Sequence, residues 1–171
     1  TTYLWLACGL TRSYWYWDGT TFKKAPQADP DDKAGLFCRI GAKLYKTETA
    51  SAIASVTNPL SGTWAAPTTV DDSVYNITAL VRHLELLYII KENCAYYLSS
   101  TDVLVPDIIP QLRSMYNTAT GKNTISWNGS VYVPASDQSL EEYNLLAGNV
   151  NSVGPNEYAE RLADFGGQVV A

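Results

Sequence analysis

The sequence predicts an all-β protein built from β-propeller blades of about four antiparallel strands. Three observations point there. Asn128-Gly129 sits between Ile125-Ser126-Trp127 and Val131-Tyr132-Val133, and an Asn-Gly pair between strand formers is the strongest short-range signal for a tight hairpin, because both residues accept positive φ cheaply. A second aromatic hairpin signal, Tyr14-Trp15-Tyr16-Trp17 running into Asp18-Gly19, stands more than one hundred residues earlier. The triplets Leu4-Trp5-Leu6, Leu36-Phe37-Cys38, Leu87-Tyr88-Ile89 and Val131-Tyr132-Val133 repeat one pattern, with central aromatics 32, 51 and 44 residues apart.

Each central aromatic is followed by a tyrosine at offsets of 11, 8, 9 and 11 residues, namely Tyr16, Tyr45, Tyr97 and Tyr143. A repeat of about 40–50 residues with short strands is the mark of propeller blades, since one sheet has two faces to bury and stacking against neighbours covers both. The pattern divides the chain into blade-like units near 3–33, 34–83, 84–124 and 125–165. A β-sandwich is the alternative, because its strands also recur every ~8–12 residues.

Along the chain, residues 3–8 form a short apolar strand closed by Gly9. Residues 11–13 are a polar connection, 14–17 the next strand, and Asp18-Gly19 turns it back to Phe22. Residues 25–33 are a loop by composition, with two prolines and three aspartates in nine residues. Leu36-Phe37-Cys38 and Leu44-Tyr45 flank a Gly41-Ala42 turn. From 47 to 69 the chain reads as a long Ser/Thr/Ala connection anchored by Trp64, of a length that is uncommon unless it is functional or holds a strand.

Strands then follow at 74–81, 86–90 and 95–98, with Glu92-Asn93 turning between the last two, and 103–105 adds a fourth. Pro106 and Pro110 limit any helix over 107–116 to a turn or two. Residues 118–123 form a polar turn, 140–143 a strand and 148–156 a loop. Residues 157–165 read equally as one short helix or a loop, and 168–170 as a strand.

Composition narrows the function classes. Twelve Tyr and five Trp against three Phe suit pleated surfaces that are apolar with a polar tip. Seventeen acidic against twelve scattered basic residues give a net charge of −5, which argues against nucleic acid as a partner. No segment reaches the ~18–20 apolar residues of a membrane span. Cys8, Cys38 and Cys94 lack metal-binding spacing and read as three reduced, buried thiols, or as one disulfide and a free thiol.

No catalytic signature, metal site or cofactor site emerges. Asp29-x-Asp31-Asp32 resembles a calcium loop, but Lys33 and Ala34 stand where an EF-hand wants an oxygen ligand and glycine; a solvated loop is the better reading. Asp71-Asp72 and Glu141-Glu142 place adjacent carboxylates on opposite faces of a strand. His83, the one histidine, reads as an exposed turn residue. Asp18-Gly19-Thr20-Thr21-Phe22 lacks the spacer of an Asp-box. The candidate binding residues are Trp15, Trp17, Asp18, Trp127 and Asn128, aromatic faces beside small polar turns that suit sugar rings; packing within the sheets is the preferred role for the tryptophans. Asn76-Ile77-Thr78 and Asn128-Gly129-Ser130 are formal glycosylation sequons.

Asn76-Ile77-Thr78-Ala79-Leu80, Leu87-Tyr88-Ile89, Trp127-Asn128-Gly129 with Val131-Tyr132-Val133-Pro134, and Val153-Gly154-Pro155-Asn156 carry a resemblance. Over residues 70–156 the chain resembles the β-propeller proteins encoded among tail and other virion structural genes of tailed bacteriophages. The resemblance implies a non-enzymatic structural module located in the virion, assembled in the host cytoplasm. Its implied partners are other virion proteins and further copies of itself in a symmetric assembly, with receptor or host-glycan binding in addition. Propellers of that group close with six to eight blades, so four units imply part of a longer chain or a compact four-bladed ring. A carbohydrate-active propeller enzyme and a cellular protein-interaction propeller are the alternatives.

Overall fold

The computed structural model describes residues 3–25, 32–99, 102–106, 108–114, 116–135, 140–144, 146–153, 163–165 and 168–170. It is all-β, and its chain divides into two compact units, Thr1–Val74 and Tyr75–Ala171.

The first unit holds β1 (Leu4–Leu6), β2 (Gly9–Ser13), β3 (Trp15–Trp17), β4 (Phe22–Lys24), β5 (Lys33–Ala34), β6 (Phe37–Ile40), β7 (Lys43–Thr47), β8 (Ala52–Val56) and β9 (Thr68–Thr69). They form a three-stranded sheet β1-β3-β4, a two-stranded pair β2-β5 and a four-stranded sheet β6-β7-β8-β9. Two sequence readings change here. Residues 11–13, expected as a connection, belong to β2, whose Ser13 pairs with Lys33 of β5 at the end of the segment expected as a loop. The long connection after 47 contains β8 and β9, which continue the sheet antiparallel. Ala52-Ile53-Ala54-Ser55-Val56 is rich in small residues of weak strand propensity, and burial on both faces holds it in the sheet instead.

The second unit holds β10 (Ile77–His83), β11 (Leu86–Lys91), β12 (Ala95–Leu98), β13 (Leu104–Val105), β14 (Ile125–Trp127), β15 (Ser130–Pro134), β16 (Leu140–Asn144), β17 (Asn149–Val153), β18 (Ala163–Phe165) and β19 (Gln168–Val170). Two meandering four-stranded sheets result, β10-β11-β12-β13 and β14-β15-β16-β17, with β18 and β19 paired separately. The segment over 107–116 contains one 3-10 helix, Pro110–Ser114. Residues 149–153, read from sequence as loop, form β17, whose Val150 pairs with Tyr143. Of 157–165, only 163–165 are described, and they are strand; Gly154-Pro155-Asn156 lie outside the described residues.

Register explains the core of this unit. Ala79 and Val81 on β10 stand opposite Ile90 and Tyr88 on β11, which stand opposite Ala95 and Tyr97 on β12. Alternation puts these six side chains on one face. Val131 and Val133 of β15 and Tyr143 of β16 pack with them, and Ile108, Ile109 and Leu112 close the cluster. Full burial of each such aliphatic side chain contributes roughly 1.5–3 kcal/mol.

The four-stranded sheets share a feature of the second strand. Leu44, Tyr45, Lys46 and Thr47 of β7 are all buried, as are Leu87 to Lys91 of β11 and four of the five residues of β15. A strand buried at consecutive positions is covered on both faces.

The true repeat follows from these second strands. Their tyrosines, Tyr45, Tyr88 and Tyr132, are 43 and 44 residues apart. The hairpin turns before them, at Gly41, Leu84 and Asn128, keep the same spacing of 43 and 44. Phe37, aligned from sequence with Tyr88 and Tyr132, lies instead on the first strand of its sheet, and Ile77–His83, placed at the end of the second unit of the repeat, pairs with β11 in the next sheet. The Asn128-Gly129 hairpin is as expected: both φ values are positive, 45° and 83°, and Trp127 pairs with Ser130 across the turn.

The thiols also differ from expectation in one case. All three cysteines are thiols outside any disulfide; Cys38 and Cys94 are buried, but Cys8, just beyond β1, is exposed.

Candidate functional site

Trp15 and Trp17 share one face of the first sheet because they are two apart on β3. Register adds Leu6 and Lys24 beside Trp15, and Leu4 and Phe22 beside Trp17. That face is open: Leu4 is 57%, Trp15 42% and Phe22 58% exposed. The sequence favoured packing for both tryptophans; Trp15 is exposed, and Trp17 packs on Phe22 with ring centroids 4.7 Å apart. Asp18 is committed to its own turn. Its Oδ1 accepts the Thr20 and Thr21 amides, each at 2.8 Å, and its Oδ2 lies 2.6 Å from Lys23 Nζ. The Lys23 ammonium, then the two amides, hold the Asp18 carboxyl well below the usual carboxylate range.

Trp127 and Asn128 belong to the second unit. Trp127 is half-buried against Tyr132, with centroids at 6.0 Å, and Asn128 occupies the exposed hairpin tip. The structure therefore gathers Trp15, Trp17 and Asp18 on one sheet and sets Trp127 and Asn128 on another. Of the calcium-like loop, Asp29 and Asp31 lie outside the described residues. Asp32 accepts the Ser13 hydroxyl and pairs with Lys24 at 3.3 Å.

A concave site lies elsewhere in the first unit. The opposite face of β1-β3-β4 carries Trp5 and Tyr16, which stack at 5.1 Å and 30°. Facing them on the β6–β9 sheet are Phe37 and Arg39 of β6 and Leu44 and Lys46 of β7, which register and alternation place on one side. One end of this layer is filled. Tyr14, Phe37 and Trp64 pack there edge-on or stacked at 5.2–6.3 Å, and Lys46 Nζ sits 4.6 Å from the Trp64 ring centroid and 2.9 Å from Glu48. The other end is open, leaving a cleft of ≈ 270 Å³ lined by Tyr3, Trp5, Arg39, Leu44, Thr57 and Pro59.

Arg39 gives the cleft its electrostatic character. Its Nε donates to the Gly41 carbonyl at 3.1 Å, and no carboxylate pairs with it among the described residues. The site thus combines an aromatic wall, an aliphatic floor, a threonine hydroxyl and one uncompensated guanidinium, a set suited to recognition rather than to proton transfer. None of these residues is among the binding candidates read from sequence, where Trp5 figures only as the centre of a repeat triplet. The available signal was the Phe37-x-Arg39 alternation, which aims a cation along the same face as a core aromatic.

His83 is the residue whose setting changes most. Expected as exposed, it is 4% exposed. It ends β10 immediately before the Leu84-Glu85 turn, its ring stands edge-on to Tyr88 at 5.5 Å, and Nδ1 lies 2.7 Å from Ser126 Oγ. Burial pushes its pKa down, opposed in part by a backbone hydrogen bond at Gly129. No carboxylate backs the ring among the described residues, so the pair lacks the third group that orients a catalytic imidazole.

No protein-family model and no curated protein matches this sequence. Solved structures do share its fold. The chain superposes on virginiamycin B lyase from Staphylococcus aureus with a TM-score of 0.69 at 10% identity, over 90% of this chain and 53% of that one. A streptogramin B lyase structure gives 0.58 at 10% identity, over 88% and 53%. The extracellular domain of a one-component system from B. thetaiotaomicron gives 0.61 at 12% identity, over 98% of this chain and 23% of that one. The chain spans about half the length of the two lyases, and at these identities the likeness is one of fold: antiparallel four-stranded sheets like those of propeller-type proteins.

Proposed function

We propose that this chain is a run of blades from a β-propeller, acting as a non-enzymatic structural and interaction module. The observation that carries the reading is the second strand of each four-stranded sheet, buried on both faces and recurring with its hairpin turn every 43 or 44 residues. A sheet covered on one face only would alternate buried and exposed positions along that strand, as sheets with a solvated face do. The fold likeness to propeller-type proteins supports the same reading. The lyase activity named for two neighbours belongs to those proteins.

The module's place in a phage virion rests on the sequence resemblance around Leu87-Tyr88-Ile89 and Trp127-Asn128-Gly129; none of the three named neighbours is a phage protein. Mass spectrometry of density-purified particles tests it. Peptides of this chain at a fixed copy number per particle support the assignment, and a chain found only in the free protein fraction overturns it.

A further inference from the structure

We propose that the cleft of the first unit binds a carboxylate-bearing sugar, with Arg39 holding the carboxylate and Trp5 and Tyr3 supplying the wall on which the ring rests. The cleft is the open continuation of an aromatic inter-sheet layer. Where Trp64 fills the layer there is no room for a ligand; beyond Trp5 the layer is left ≈ 270 Å³ short of closure. That volume falls just under the range of drug-sized sites, about 300 Å³ and above, and suits one sugar ring rather than an extended glycan.

The wall is rigid before any ligand arrives. Trp5 is held by Tyr16 at 5.1 Å, Tyr14 at 5.9 Å and Phe37 at 6.1 Å, and Tyr3 stands edge-on to Tyr16 at 5.9 Å. Fixed aromatic faces lose little conformational entropy on binding, and they match the apolar face of a pyranose. Thr57 adds a hydroxyl at the rim.

Arg39 selects for charge. Lys24, beside Trp15 on the open face, and Lys23, which register places beside Tyr16 on the cleft's own face, are already paired with Asp32 and Asp18. Arg39 is exposed and carries no such partner among the described residues, in a chain with five more acidic than basic groups. Its Nε bond to Gly41 restrains the guanidinium and leaves the Nη donors for a ligand, and a planar fork of donors fits a carboxylate in bidentate fashion. A neutral sugar would leave the guanidinium unused; inorganic phosphate would leave the wall uncovered.

The test is an NMR titration of the 171-residue chain, following the tryptophan indole and arginine Nε–H signals with glucuronic acid, glucose and inorganic phosphate as probes. Glucuronic acid is expected to shift the Trp5 and Arg39 signals and to bind about tenfold tighter than glucose or phosphate, the scale of one charge-assisted contact. Arg39→Ala, an exposed position whose melting curve reports intact folding, is expected to lose about tenfold in affinity, with Arg39→Lys recovering part of it. Equal binding of glucose or phosphate, unchanged affinity in Arg39→Ala, or no shift at either signal overturns the proposal. None of those outcomes bears on the sheet repeat.

Discussion

His83 Nδ1 and Ser126 Oγ lie 2.7 Å apart, joining the end of β10 to the middle of β14 inside the second unit. The histidine is buried and its pKa is lowered chiefly by desolvation. A histidine whose folded pKa lies below its unfolded value of 6.5 binds fewer protons folded than unfolded. Its contribution to stability is therefore complete above about pH 6.5 and falls as pH drops through the lowered folded value. Because His83 is the one histidine in the chain, the test is clean. The melting temperature is expected to fall between pH 7.5 and 5.5, and His83→Gln, though less stable at pH 7.5, to flatten that slope. An unchanged slope in the variant would assign the effect to other groups.

The hairpin that joins His83 to β11 also shows where sequence reading stops. Leu84 and Glu85 both adopt positive φ, 47° and 60°, the same two-residue turn that Asn128-Gly129 advertises in its residue types. Nothing in Leu-Glu announces such a turn; the pairing of His83 with Leu86 imposes it. Apolar–aromatic–apolar triplets were legible, but a first and a second strand alternate alike, so Phe37 was matched to Tyr88 when Tyr45 is its counterpart. The turns carry the register that the strands do not. The cleft was illegible for a related reason: Tyr3, Arg39 and Thr57 are distant in sequence, and only the stacking of two sheets brings them together.

Gly121 and Gly129 separate two uses of positive φ. Gly129 has φ +83° and faces open space, so Gly129→Ala meets backbone strain alone, about 1 kcal/mol. Gly121 has φ +75°, and a Cβ there would overlap Ile90 Cγ2 and press on Thr78 Oγ1. Its amide also donates to the Pro134 carbonyl at 2.8 Å. Neither Ile90, fully buried, nor that backbone can yield, so Gly121→Ala is expected to cost about 3 kcal/mol. Urea midpoints of the two variants check the order; equal losses would mean that the turn over 118–123 moves freely.

Asp18 is expected to matter as a turn residue and not as a ligand. Asp18→Asn keeps an acceptor for the Thr20 and Thr21 amides and loses only the ion pair with Lys23, whereas Asp18→Ala loses both. Since the carboxyl pKa is lowered, the ionised form stabilises the fold above about pH 3.8, and that contribution disappears as pH falls below it. Thermal melts at pH 7 are expected to rank wild type above Asn and Asn above Ala. If Asn and Ala melt together, the amide contacts contribute nothing.

Lys46 and Glu48 make the last case, a buried charge whose partner is nearer the surface. Lys46 has no exposed surface, its Nζ lies 2.9 Å from Glu48, and the Trp64 and Tyr14 rings stand 4.6 and 5.5 Å from it. Desolvating an ammonium costs several kcal/mol, and the carboxylate together with the ring faces offsets that cost. Removing the carboxylate takes away the opposite charge 2.9 Å from a fully buried ammonium, so Glu48→Gln is expected to destabilise by about 3 kcal/mol. Lys46→Met removes the charge that needs solvation and keeps the stem's volume, leaving Glu48, 11% exposed, to turn toward water; its loss is expected to stay within about 1.5 kcal/mol. In the double variant the Glu48→Gln penalty should largely vanish, because no buried ammonium remains to be abandoned. A urea-denaturation cycle over the four proteins measures this coupling. Additive losses would show that Glu48 acts on the backbone around β7 and not on the Lys46 charge.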